Sequence, residues 1–431
     1  MKFSQYNIEI EKNEQYVVLY NTYKGSAIKI DLDTYQNFME NMDNSHPCFE
    51  VLRSNGFIVS NEVDEYAQVR HELNLDINNP MDKALNVVIA PTMRCQLKCF
   101  YCYEQRNPLS TTNMTASTCD NVVSFIKSSI NPHTETINIC WFGGEPLLDI
   151  ESILKIGSEI KRGLRNGMIF NSRIITNGIL LNKENCMALV NECNLNNAQI
   201  TLDGKEAQHC KAKGCKKEAY QQVLKNIVDC ASLIRLSICY NLSMDNYCDL
   251  ESLMQYLLVD NNLLNKIDIH LVRVKPYSND CGLEAKCFTE EEFDKIRISF
   301  DAFLKTLGQT PKSSTVKRAS PCSLLKNSGA VIDPEGYLYK CEHLLGQKEK
   351  ASGDVVNGWY FNQQHMNAQK VIWDDQCSKC AYYPRCGFAL CPELRAMGRK
   401  DDGNCSYTTV IENRIKNSIF NKSTGKENKN D

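Results

Sequence analysis

The chain has 431 residues, 42% of them hydrophobic and 23% charged, a globular composition with length for two or three domains. With 49 Lys and Arg against 52 Asp and Glu the net charge is −3. That gives no electrostatic footing for nucleic acid or an anionic membrane surface, so neither is expected as a partner. No apolar run reaches the roughly 20 residues that span a bilayer, and the start Met1-Lys-Phe-Ser-Gln-Tyr6 lacks the apolar stretch of an export signal. The expected location is cytoplasmic. The 22 cysteines then sit in a reducing compartment, where they more often bind metal or do chemistry than form disulfides. Ten of them fall into two groups, and the rest, scattered from Cys48 to Cys287, read mostly as small buried hydrophobes.

In chain order, residues 1–80 read as a small α+β unit. Tyr6–Glu11, Tyr16–Tyr20 and Ala27–Asp31 have the composition of short strands joined by turns. Thr34–Met42 carries apolar residues at helical spacing. A further helix starts at Phe49 and is stopped by Gly56, with a strand to Val59 after it. Over residues 81–285 the pattern changes to alternation. Strands are expected at Leu85–Ala90, Thr136–Phe142, Ile169–Thr176, Ala198–Leu202, Arg235–Asn241 and Lys266–Val272. Helices are expected between them at Ser117–Ser129, Asp149–Leu164, Lys183–Cys193, Glu218–Cys230 and Leu250–Leu258. Repeated strand–helix units predict an α/β fold with a parallel sheet, and six of them make a partial, TIM-like (β/α)6 barrel rather than a closed one of eight. Residues 286–310 hold a linking helix, Thr289–Leu307; residues 311–412 form a cysteine-rich domain, and residues 413–431 a polar tail.

The first cysteine group, Cys95-Gln-Leu-Lys-Cys99-Phe-Tyr-Cys102, follows the first barrel strand. Three thiolates can hold three irons of a four-iron cubane and leave the fourth open, whereas an electron-carrying ferredoxin supplies a fourth Cys. A structural zinc site, the alternative, wants four tetrahedral ligands. Gly143-Gly144-Glu145-Pro146 ends the second strand; alone it reads as a turn, but bare glycines also let a ligand approach the backbone. Thr176-Asn177-Gly178, Asp203-Gly204 and Asn241 end the next three strands and read equally as turns. In parallel β/α architectures such strand ends gather the reacting groups. The second group is Cys322, Cys341, Cys377-x2-Cys380-x5-Cys386-x4-Cys391 and Cys405, a pattern that also suits two zinc sites. Glu342 beside Cys341 is either a surface carboxylate or a base that takes a proton from substrate.

The Cys95–Cys102 run, with Tyr101 before its third Cys, resembles the signature of the radical S-adenosylmethionine (SAM) superfamily. The resemblance implies a 4Fe–4S cluster on Cys95, Cys99 and Cys102 whose open iron chelates SAM, and a 5′-deoxyadenosyl radical made by reductive cleavage of SAM. It implies SAM contacts from Tyr101, Gly143, Gly144, Glu145, Pro146, Asn177, Asp203 and Asn241, with Glu145 and its neighbours on the methionine amine. Relatives often carry His-Asp-x-x-Arg after the Asp-Gly; here the run is His209-Cys-Lys-Ala-Lys213, and Lys lacks the two-pronged fork of Arg. The late cysteines resemble the SPASM domain of radical SAM maturases, which carries two auxiliary 4Fe–4S clusters, three clusters in all. By that likeness Cys377, Cys380, Cys386 and Cys405 close one, and Cys322, Cys341 and Cys391 hold the other, with Cys281 or Cys287 as a possible fourth ligand. The usual third interval is x3, and Gly387-Phe-Ala-Leu390 makes it x4. Residues 1–80 resemble the winged-helix element that holds leader peptides, or else cap the fold. The family implies an enzyme that modifies a ribosomally made precursor peptide bearing a leader, forms a thioether or carbon–carbon crosslink, and is fed by an electron donor such as flavodoxin or ferredoxin. The alternative is an anaerobic sulfatase-maturating, formylglycine-generating enzyme, and a reading of another class is a non-catalytic iron–sulfur or zinc protein.

Overall fold

The N-terminal residues form three antiparallel strands in the order β2 (Asn7–Lys12), β3 (Tyr16–Asn21) and β4 (Ala27–Asp31), while β1 (Lys2–Phe3) pairs with β5 (Ile58–Val59). Helices α1 (Leu32–Asn41), α2 (Phe49–Ser54) and α3 (Glu65–Ile77) accompany them. The Asp31 carboxylate caps α1 by accepting from the Thr34 N–H at 2.9 Å, and Gly56, at φ +80°, gives the left-handed turn between α2 and β5. The computed structural model describes residues 1–42, 44–275, 286–311, 317–369, 375–386, 391, 405 and 407–424. Cys281, the interval 387–390 and the tail beyond 424 lie outside the described residues. Among the described residues no helix is long and apolar enough to cross a membrane.

The chain divides into two compact units that do not follow chain order. Met1–Asn78 packs with Ser313–Cys322 and Lys370–Asp431, and Asn79–Lys312 packs with Ser323–Gln369. In the first, Ile8, Ile10 and Tyr20 share a core with Cys386, Tyr407, Ile411 and Ile415. Tyr6, Val69, Leu73 and Ile77 pack with Tyr383, against which Cys377 and Cys380 also lie. Polar contacts close the same seam: the Arg385 guanidinium donates to the Thr22 carbonyl at 2.5 Å, and the Thr22 hydroxyl to the Ala381 carbonyl at 2.5 Å. The N-terminal strands and the Cys377–Cys386 segment therefore fold as one body.

The second unit holds a ten-stranded sheet. Six parallel strands stand in sequence order: β6 (Ala84–Thr92), β7 (Thr136–Gly143), β8 (Ile169–Thr176), β9 (Leu195–Thr201), β10 (Arg235–Leu242) and β11 (Ile267–Arg273). Helices α4 (Ala116–Ser128), α5 (Ile150–Arg162), α6 (Lys183–Cys193), α7 (Glu206–Lys213), α8 (Lys217–Cys230) and α9 (Leu250–Gln255) connect them. This is the expected partial (β/α)6 barrel. Along β10, Leu236, Ile238, Tyr240 and Leu242 are all buried in the core that the helices cover, and Ser237, Cys239 and Asn241 alternate to the other face, as a strand's period of two requires. Gly157 on α5 lets α6 come close, since a Cβ there would lie 2.4 Å from Cys193 Sγ. Burial of Ile153 and Ile156 on the same helix is worth about 1.5–3 kcal/mol each.

Several elements were not legible beforehand, among them α3 and a helix at Thr408–Thr424, which runs across the expected start of the polar tail at 413 and buries Ile411 and Ile415. Helix α7 lies where no helix is expected, and β12 (Gly329–Ile332), from the late cysteine-rich stretch, runs parallel beside β6 and carries the antiparallel strands β13 (Tyr337–Tyr339), β14 (Gly353–Asp354) and β15 (Gly358–Trp359). The helix Glu290–Thr306, α10, matches its expected place and opens with a Thr289–Glu292 capping box.

Candidate functional site

The Cys95–Cys102 loop leaves the C-terminal end of β6 and is pinned from below by α7. The last carbonyls of a helix have no partner within it, and here the loop supplies two: the Lys98 N–H donates to the Lys213 carbonyl at 3.0 Å and the Phe100 N–H to the Ala212 carbonyl at 3.1 Å. On its other side the loop meets Gly143–Glu145. The Gly144 N–H donates to the Thr92 carbonyl at 3.2 Å and the Glu145 N–H to the Arg94 carbonyl at 2.7 Å. A Cβ on Gly143, at φ +106°, would lie 2.3 Å from the Thr92 carbonyl oxygen, and one on Gly144 would lie 2.4 Å from that of Met93. The two glycines thus admit the cysteine loop itself, a closer reason for them than the approach of a ligand.

The three thiols lie within electrostatic reach of one another. Burial pushes Cys95 up to about 11 and Cys102 up to about 12, and each is raised further by a neighbouring thiol of the set. Cys99 is raised as well, by burial first, although the Lys213 ammonium pulls it back. Three such thiols side by side, Cys95 exposed and Cys99 and Cys102 half-buried, ionise most readily against strong positive charge, which iron supplies, so the donor set fits a cluster. Among the described residues no three His, Cys, Asp or Glu side chains converge as ligands of a single ion do; a cubane instead takes its thiolates one to an iron.

Glu145 is fully buried. Its carboxylate accepts from the Thr176 hydroxyl at 2.7 Å, the Asn177 N–H at 2.8 Å and the Leu147 N–H at 3.1 Å. Burial still pushes it up to about 7 against those three donors. Pro146 opens the short turn Pro146–Asp149, where its missing N–H costs nothing. Asn177 turns its Oδ1 to the Ile179 N–H at 3.0 Å. Its Nδ2 is buried without a hydrogen-bond partner, and the amide lies near enough to Cys95 to favour that thiolate.

Tyr101, Asp203 and Asn241 come together in one network that the sequence did not announce. The Tyr101 hydroxyl donates to Asp203, and accepts from Asn241 Nδ2 at 2.9 Å and Lys213 Nζ at 2.6 Å. The Lys213 ammonium also pairs with the Asp203 carboxylate at 3.1 Å, with side chains 4% and 0% exposed. Burial alone would strip the Lys213 proton, but Asp203 and Tyr101 outweigh it and hold the ammonium well above its ordinary range. The Asp203 N–H donates to His209 Nδ1 at 3.2 Å, and burial followed by the Lys213 charge presses His209 down to about 4, so it stays neutral and can accept. His209 and Lys213, four apart on α7, share one helix face.

Glu342 stands on the turn after Cys341. Its charge reaches two buried groups: the Cys140 thiol, pushed to about 11 mainly by burial, and the Glu104 carboxyl, pushed up to about 8 by burial and then by Glu342. Glu104 Oε1 is buried without a hydrogen-bond partner. The Tyr103 and His343 rings meet at a 48° tilt with centroids 4.6 Å apart, and Asn107 Nδ2 donates to the Leu345 carbonyl at 2.8 Å. The segments that follow Cys102 and Cys341 are therefore joined side by side. Glu104 was missed in the sequence, where only its place two residues after Cys102 could have marked it.

Cys377, Cys380, Cys386 and Cys405 all belong to the first unit, as do Cys322 and Cys391, while Cys341 belongs to the second. Cys386 is buried, Cys377 and Cys380 are half-buried, and Cys322 and Cys405 are exposed. Cys380 feels the charge of Cys405. Of the scattered cysteines, Cys119, Cys140, Cys186, Cys193, Cys230 and Cys239 are buried as expected, whereas Cys210, Cys215 and Cys287 are half-buried and Cys248 is exposed.

Residues 89–257 match the Radical SAM superfamily. Over 225 residues, 51% of this chain and 69% of the relative, the chain is 27% identical to the probable GTP 3′,8-cyclase of Methanococcus aeolicus. Among solved structures, anSMEcpe with bound AdoMet superposes at a TM-score of 0.61 and 16% identity, covering 80% of this chain and 100% of that one. SuiB of Streptococcus suis bound to the precursor peptide SuiA gives a TM-score of 0.54 at 14% identity, over 94% and 98%. At such identities the two structures share the fold with this chain. With the barrel, the cysteine loop and the matched segment in agreement, residues 89–257 are a radical SAM domain and the chain that carries it is an enzyme; such a domain implies a 4Fe–4S cluster and SAM.

Proposed function

We propose that the enzyme is a maturase that acts on a ribosomally made precursor peptide and closes a thioether or carbon–carbon crosslink within it. The observation that carries this reading is the pair of carboxyls, Glu104 and Glu342, at the joined turns after Cys102 and Cys341. A protein that only passed electrons has no use for a base there, whereas crosslinking removes a proton from the substrate. Cys95, Cys99 and Cys102 hold the cluster, and the bound cluster with SAM supplies the 5′-deoxyadenosyl radical. Glu145 meets the SAM amine as a carboxylate, oriented by Thr176 and the Asn177 N–H, with Gly143, Gly144 and Pro146 fixing its approach. Asn177 Nδ2 donates to the SAM carboxylate. Tyr101, Asp203 and Asn241 act one step back, as the frame that holds the cysteine loop on α7. Glu342 takes the substrate proton at a carboxylate oxygen. The late cysteines hold two auxiliary clusters, divided as Cys377, Cys380, Cys386 and Cys405 against Cys322, Cys341 and Cys391. Residues 1–80 hold the leader, by adding a strand to their sheet edge, and a flavodoxin or ferredoxin supplies electrons. Support from relatives is that SuiB was solved with its precursor peptide and anSMEcpe with a Kp18Cys peptide.

The same acid pair favours one second reading, a formylglycine-generating sulfatase maturase, because oxidation of a Cys side chain also gives up a proton. Anaerobic incubation with SAM, a strong reductant and candidate peptides, read by tandem mass spectrometry, separates the two. Loss of two hydrogens with linked fragments is the expected result; loss of sulfur from a Cys selects formylglycine. Glu342→Gln should cut peptide product by about 100-fold, within the range for a lost acid–base group, while 5′-deoxyadenosine still forms. Equal peptide product from the variant would reject Glu342 as the base.

A further inference from the structure

Helix α7 ends in a left-handed residue, Gly214, at φ +62°. The Gly214 N–H and, at 3.1 Å, the Cys215 N–H both donate to the Cys210 carbonyl. The Cys215 bond is the 6→1 bond of a Schellman motif and the Gly214 bond the 5→1 bond of an αL cap; the first brings together the side chains at the third position from the helix end and the second position beyond it. That contact is ordinarily made by two apolar residues. Here those two positions carry thiols, Cys210 and Cys215, brought to the same turn by the bonds to the Cys210 carbonyl. Both are half-buried and so open to small solutes. Cys186 and Cys230, by contrast, are buried in the barrel core and are not.

We propose that Cys210 and Cys215 are a site of reversible covalent modification: they close an intramolecular disulfide by exchange with low-molecular-weight disulfides such as oxidised glutathione. One protein thiolate attacks a sulfur of the small disulfide, giving a mixed disulfide and one free small thiolate. The second protein thiol gives its proton to solvent and displaces the other small thiolate. Two protein thiols are oxidised, one small disulfide is reduced, and no electron is left over. Attack begins at Cys210, because burial holds the Cys215 thiol in its protonated form. The bridge joins two residues whose backbones already meet at the Cys210 carbonyl, so it staples the last turn of α7. That turn holds the cysteine loop through the carbonyls of Ala212 and Lys213, which links the thiol poise of the cell to the stiffness of the cluster loop.

The test uses the holoenzyme, kept anaerobic in glutathione buffers of graded oxidised fraction, quenched with acid and N-ethylmaleimide, and cut with trypsin. The expected product is the peptide 206–211 linked to the peptide 214–216, growing with the oxidised fraction and cleared by dithiothreitol. Cys215→Ser should instead accumulate glutathione on Cys210, and Cys210→Ser should leave Cys215 free. The proposal is overturned when Cys210 and Cys215 are both alkylated across the series while the exposed Cys248 takes up glutathione.

Discussion

Glu145 makes SAM binding a titration. Its carboxyl stands at about 7 in the free protein because it is buried, and under the proposed function it meets the SAM ammonium as a carboxylate. At about 7, the group is roughly one-half ionised at pH 7 and roughly one-tenth at pH 6. SAM affinity should therefore fall about tenfold from pH 8 to pH 6, one proton being released on binding. The sign for folding is opposite. A carboxyl raised above its ordinary range favours the folded state most at low pH, and that contribution is lost as pH rises through about 7. Glu145→Gln removes both slopes. It also loses a charge-assisted hydrogen bond of about 1.5–3 kcal/mol, or about 10- to 150-fold in affinity. Anaerobic equilibrium dialysis of the reconstituted enzyme with labelled SAM, from pH 6 to pH 8, measures both. A flat wild-type profile, or a variant that keeps the slope, refutes the role given to Glu145.

Lys213→Met leaves Asp203 buried and without its cation, and should cost about 3–5 kcal/mol in denaturant unfolding; a loss below about 1 kcal/mol would mean that the network around Tyr101 does not hold the loop. Removing residues 1–80 takes Ile8, Ile10 and Tyr20 away from Cys386, Tyr407 and Ile411. The deletion should therefore shed about four irons, one cubane, along with modification of the full-length peptide, while SAM cleavage persists. Iron analysis and 5′-deoxyadenosine release check it: full iron content would make the N-terminal strands an appended module rather than part of the core that holds Cys377–Cys386.

The barrel was legible because its strands are apolar runs of the right length, followed by helices of regular apolar spacing, and the cysteine loop and Gly143–Pro146 were legible because their chemistry is local. Helix α7 was not, for a physical reason. Its buried residues are His209, Ala212 and Lys213, so it turns polar groups inward and shows no apolar stripe to count. The network it joins draws on Tyr101, Asp203, Lys213 and Asn241, from four separate stretches of chain, and nothing in their spacing brings them together before the sheet does. The glycines were legible as residues but not as contacts: Gly144 is required by the carbonyls of Met93 and Arg94, which only the folded loop sets beside it. The pairing of residues 1–78 with the Cys377–Cys386 segment joins the two ends of the chain, a separation that local pattern does not carry.

Lys213 shows how such a network changes the meaning of a substitution. As a point charge in place of Arg it looked unfit to clamp a SAM carboxylate in two places. In the fold it is closed off from solvent and committed to Asp203 and the Tyr101 hydroxyl, a pocket suited to a compact ammonium with three donors. Its cation works inside the protein, so the lost fork takes nothing from the ligand. Under the proposed function the SAM carboxylate takes its donor elsewhere, and Asn177 Nδ2, buried beside Cys95 with no hydrogen bond made, is the donor proposed for it.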